Sequence, residues 1–167
     1  YNTNPEVDDE VFVYWNKRRS RVSDYYKLNI RTGVPKLIAR GPDIEDYEVI
    51  YFSVEDDDGY PVTVMTDVGI ERVLYTYDKD SKKWSEHFRY RCQEPHFTPV
   101  ALLDDGRWLV SGQKFDTNMN VIEDLDKNAL YIYNPKTREF SDLVYADSIY
   151  DIGGFTGGCR SGTPMSA

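Results

Sequence analysis

Ser161 sits among glycines in Gly158-Cys159-Arg160-Ser161-Gly162, and a serine so placed raises the question of nucleophilic acyl transfer. The α/β-hydrolase nucleophile requires Gly-x-Ser-x-Gly, a sharp strand-to-helix turn that lifts the hydroxyl toward a histidine base. Here the serine comes one place too late for that motif and follows no strand pattern, so no catalytic residue is assigned. His87 and His96 flank Cys92 as a zinc site or a Cys-His pair would, but no third ligand follows at regular spacing. Both histidines are read as surface or loop residues. Asp116, Asn118 and Asn120 place oxygens at alternate positions, as the start of a calcium loop does. The sixth position, normally glycine, is Val121, and the twelfth, normally a bidentate glutamate, is Lys127. With Glu123, Asp124 and Asp126 the segment is read as a solvated loop lengthening the third repeat described below, and neither a metal nor a cofactor is assigned.

The run Lys17-Arg18-Arg19-Ser20-Arg21 is basic, but the chain as a whole carries a formal net charge of -9. These cations are therefore expected in a hairpin loop, paired with nearby carboxylates. The same balance argues against nucleic acid or an anionic membrane surface as partner, since both need concentrated positive charge. No stretch reaches the ~20 apolar residues that span a bilayer, and Tyr1-Asn2-Thr3-Asn4-Pro5 lacks the basic and apolar regions of a signal peptide. Cys92 and Cys159 define neither a zinc site nor a disulfide framework, and no compartment is assigned.

The elements that would position any site are repeats of one tyrosine-rich hairpin. Its copies are Tyr26-Lys27-Leu28-Asn29 with Thr32, Tyr75-Thr76-Tyr77-Asp78 with Ser81, and Tyr131-Ile132-Tyr133-Asn134 with Thr137. Aligning Leu28, Tyr77 and Tyr133 gives repeats of 49 and 56 residues, in or just beyond the upper range for propeller blades. Around each copy the apolar runs fall into a four-stranded meander. The last reads as strands over 97–103, 107–112, 129–134 and 140–145, and the middle one as 48–54, 61–66, 72–78 and 84–88. Asp104-Asp105-Gly106 and Asp57-Asp58-Gly59 supply the tight turns. The first shows strands over 10–15, 24–30 and 36–40 and lacks its opening strand. Runs such as Val11-Phe12-Val13-Tyr14-Trp15 are apolar on both faces, as stacked blades require. The expected fold is all-β: a partial β-propeller over 1–155, with antiparallel blades at about 10–41, 47–90 and 97–146. A flexible or non-native tail is expected over 156–167.

The first copy carries the most specific wording. Asn16-Lys17-Arg18 followed by Asp24-Tyr25-Tyr26-Lys27-Leu28-Asn29-Ile30-Arg31-Thr32-Gly33 resembles a stretch common in the propeller domains of the prolyl oligopeptidase family, in its acylaminoacyl-peptidase-like members. Ala129 through Thr137, leading to Leu143-Val144-Tyr145 and Tyr150-Asp151-Ile152-Gly153-Gly154, is similar to that family's blade ending before an Asp-hydrophobic-Gly-Gly segment. The resemblance implies a serine peptidase whose α/β-hydrolase domain carries the Ser, Asp and His while the propeller caps it and admits only short peptides. None of that triad transfers to a residue of this chain. The expected partners are the hydrolase domain of the same parent protein and short peptide substrates, and the chain by itself is expected to be inactive. The alternative is a noncatalytic propeller module that binds a protein, peptide or glycan. An unfinished ring would leave a terminal apolar face exposed, and self-association or low-cooperativity melting is expected of it.

Overall fold

The computed structural model describes residues 2–3, 9–20, 22–43, 49–91, 93–123, 127–150 and 152. Among these the regular structure is entirely β, in two compact units, Tyr1–Cys92 and Gln93–Ala167. In the first unit β1 (Asn2–Thr3), β2 (Glu10–Arg19), β3 (Val22–Asn29) and β4 (Pro35–Ala39) pair in chain order as one antiparallel sheet. A second sheet follows in the same way, from β5 (Val49–Glu55), β6 (Pro61–Val68), β7 (Glu71–Asp78) and β8 (Lys83–Arg91). Short connections between neighbouring strands make this meander the natural product of alternating strand and turn signals.

The first sheet corrects the expectation that its opening strand is missing, because Asn2 pairs with Phe12 and Thr3 with Val11. Two polar residues carry no alternation, so periodicity is blind to them. The second strand also runs beyond Trp15 through part of the basic run to Arg19, which pairs with Val22 across an irregularity.

The two sheets of this unit pack face to face. Register places Tyr14 opposite Tyr25 and Tyr25 opposite Ala39, so these side chains share one face with Phe12. Tyr25 and Ala39 meet Val64 of the second sheet in a buried cluster, edged by Ile38, Tyr60, Tyr75, Tyr77 and Trp84. The Trp84 indole N–H closes the edge of this seam by donating to the Arg40 carbonyl at 2.9 Å. On the other face of the first sheet lie Val11, Val13, Trp15, Tyr26 and Leu28, with Trp15 and Leu37 exposed.

In the second unit β9 (Phe97–Leu102) and β10 (Trp108–Gly112) form a hairpin, and β11 (Lys114–Phe115) and β12 (Val121–Glu123) form a small separate one. The chain then returns through β13 (Ala129–Asn134) and β14 (Glu139–Phe140) to give a sheet in the order β14-β13-β10-β9. Period-2 alternation is clean along β13, where Ala129, Tyr131 and Tyr133 are fully buried and Leu130, Ile132 and Asn134 are not. The buried face is aromatic: Tyr133 lies 4.7 Å from Phe140, 4.9 Å from Phe97 and 5.6 Å from Trp108, centroid to centroid. The fourth strand expected over 140–145 is shorter than its apolar residues suggest. It pairs only at Glu139 and Phe140, and Tyr145 rejoins through a lone bridge to Leu130.

Candidate functional site

The repeated hairpin is where sequence and geometry meet most closely. In the first copy Asn29 Oδ1 accepts from the Arg31 and Thr32 N–H groups at 3.1 and 2.9 Å and from the Thr32 hydroxyl at 3.1 Å. In the second, Asp78 accepts from Asp80 N–H at 2.9 Å, Ser81 N–H at 3.4 Å and the Ser81 hydroxyl at 2.7 Å. In the third, Asn134 accepts from Lys136 and Thr137 N–H at 3.0 and 3.4 Å. The residue four places on adopts positive φ each time: Gly33 at 69°, Lys82 at 56° and Arg138 at 60°. The side-chain oxygen thus organises the loop as an Asx-turn, and the left-handed residue returns the chain to the next strand. Asn/Asp and Thr/Ser recur at this spacing because the turn needs them.

The residues that carried the family resemblance are also engaged within the fold. Arg18 makes a forked contact with Asp24, Nη2 to Oδ1 at 2.9 Å and Nε to Oδ2 at 3.1 Å, and Asp24 is buried. Asp24 Oδ1 accepts in addition from Gly41 N–H at 2.9 Å. Asn16 Nδ2 donates to the Ser20 carbonyl at 2.9 Å, closing the loop. Of the other cations in that run, Arg19 pairs with Asp43 at 2.9 Å and the Lys17 ammonium lies 5.0 Å from the Trp15 ring centroid. The expected pairing of this run with carboxylates therefore holds for Arg18 and Arg19, while Arg21 lies outside the described residues.

The calcium-like segment is a hairpin turn. Asp116 Oδ1 accepts from the N–H groups of Asn118 and Asn120, each at 2.9 Å, and Oδ2 accepts from Asn120 Nδ2 at 3.0 Å. The Asn120 side chain, with these N–H donors behind it, holds the Asp116 carboxyl below the usual aspartate range. Both its oxygens already have donors from its own loop, and Met119 takes positive φ, 66°, to allow the turn. Asp124 and Asp126 lie outside the described residues.

His87 sits half-buried on β8, and His96 Nδ1 lies 3.0 Å from the Glu94 carbonyl in the connection before β9. Cys92, Cys159 and Ser161 lie outside the described residues, as does the whole of the tail expected over 156–167. Among the described residues no group of three or more His, Cys, Asp or Glu side chains is placed to hold a metal ion.

Two clusters escaped sequence reasoning because they join residues distant along the chain. Lys79 Nζ lies 3.0 Å from Asp58 and 3.3 Å from Asp56, above the Tyr60 ring at 4.2 Å. It clamps the Asp57-Asp58-Gly59 turn, and its hydrogen bond lowers the Asp58 carboxyl below the usual range. Tyr14 of the first sheet hydrogen-bonds Glu55 of the second. Burial foremost, then the Glu55 charge and that hydrogen bond, push its phenol above the usual tyrosine range. A phenol held protonated against a carboxylate serves as a strut between sheets rather than as a nucleophile or base.

No protein-family model, curated protein or solved structure matches the chain.

Proposed function

We propose that this chain is the noncatalytic, substrate-gating portion of a β-propeller in a prolyl-oligopeptidase-like serine peptidase acting on short peptides, with the catalytic α/β-hydrolase domain supplied elsewhere in the parent polypeptide. The observation that carries the reading is the face-to-face stacking, in the first unit, of two four-stranded meanders that bear the same Asx-turn hairpin. Meanders stacked by their faces are the building scheme of a propeller. The wording of Asn16 to Gly33 ties the repeat to that peptidase family by resemblance. The polar constellations agree with a scaffold role: Arg18 with Asp24, Asp116 with its loop and Lys79 with Asp56 and Asp58 are all engaged in holding turns and strands.

The experiment tests this chain, alongside any longer polypeptide that its gene encodes, on chromogenic aminoacyl and peptidyl substrates. The expected result is no turnover by the 167-residue chain and turnover, blocked by a serine-directed inhibitor, by a longer polypeptide carrying Gly-x-Ser-x-Gly with later Asp and His. Inhibitor-sensitive turnover by the chain alone would overturn the placement of catalysis. A longer polypeptide that closes its ring without such an elbow would replace the peptidase reading with that of an interaction module.

A further inference from the structure

No further inference is drawn: the strongest candidate, the apolar outer face of the first sheet around Val11, Val13, Trp15, Tyr26 and Leu37, carries nothing because no feature of the structure shows what covers it.

Discussion

The Phe12 ring occupies the space that a Cβ on Gly59 would need. Gly59 ends the Asp57-Asp58-Gly59 turn of the second sheet at a φ of 75°, and Phe12 is a buried residue of the first, so the contact is part of the seam between them. Gly106 closes the equivalent Asp104-Asp105-Gly106 turn at a φ of 81° with nothing within 4 Å of its would-be Cβ. The two glycines separate backbone strain from steric exclusion. Gly106→Ala should cost about 1 kcal/mol, the left-handed penalty alone. Gly59→Ala should cost about 3 kcal/mol, because overpacking adds to the same strain. Denaturant midpoints decide it. Adding Phe12→Ala should offset part of the Gly59→Ala loss, whereas strict additivity would show that Phe12 is not the obstacle.

The three Asx-turns predict a gain as well as losses. Lys82 holds φ at 56° where the first copy has Gly33, and Gly33 has no neighbour within 4 Å of a would-be Cβ. Lys82→Gly should therefore raise stability by about 0.5–1 kcal/mol, the relief of strain exceeding the added freedom of the unfolded chain. Gly33→Ala should lower it by about 1 kcal/mol. Equal and opposite shifts in thermal midpoint would support a shared turn geometry, and a destabilising Lys82→Gly would contradict it.

Those turns also show which parts of the fold were legible in the sequence. Asn29, Asp78 and Asn134 act locally, within five residues, so their chemistry is printed in the order of the chain. The strand over 129–134 was legible for a related reason, since burial of every second residue imposes the period that sequence displays. By contrast β1 is too short to show a period, and the hairpin of β11 and β12 resembles a loop in sequence because Asp116, Asn118 and Asn120 suit a turn as well as an ion. The Arg18–Asp24 fork is legible in sequence only as a general pairing of cations with carboxylates. Its register depends on the irregularity between Trp15 and Arg19, and Tyr14 with Glu55 depends on how two sheets stack. Contacts of that kind are set by tertiary geometry, which local pattern does not encode.

Asp78 differs from Asn29 and Asn134 in being able to titrate. The Ser81 hydroxyl, then the Asp80 and Ser81 N–H groups, hold its carboxyl below the usual aspartate range. A folded-state value below the unfolded one contributes stability that is present above about pH 4 and is lost as pH falls through the folded value. Asp78→Asn keeps an acceptor oxygen without the charge. The variant should be less stable than the parent near neutrality, and the gap should narrow in acid below about pH 4, read as urea midpoints across the pH series. Parallel profiles would mean that the carboxylate charge does nothing for this turn.

Thr66 is fully buried, and among the described residues its hydroxyl has no hydrogen-bond partner. Its register partner on β7 is the equally buried Val73, so the surroundings already accept a branched apolar side chain. Replacing a buried unsatisfied hydroxyl by a methyl of the same shape removes a desolvation penalty without opening a cavity. Thr66→Val should stabilise the first unit by about 1 kcal/mol in chemical denaturation. A loss instead would show that the hydroxyl is serving a group that the fold needs.

Arg18 and Asp24 are the sharpest case in which a family-like motif does structural work. Asp24 is 2% exposed, and its carboxylate is satisfied by the Arg18 fork and the Gly41 N–H, which together tie the end of β2 and the start of β3 to the segment just after β4. Removing the guanidinium leaves a buried anion with one donor, so Arg18→Ala should cost about 3 kcal/mol. Arg18→Lys keeps the charge but cannot make the fork, and should cost about 1–2 kcal/mol. Removing both charges in Arg18→Met with Asp24→Asn should recover much of the Arg18→Ala loss, since no ion is then stranded. A double-mutant cycle on denaturation free energies reads the coupling. Losses that simply add would place the Arg18–Asp24 contact among solvent-screened surface pairs, and the motif would then need an explanation other than the folding of its own hairpin.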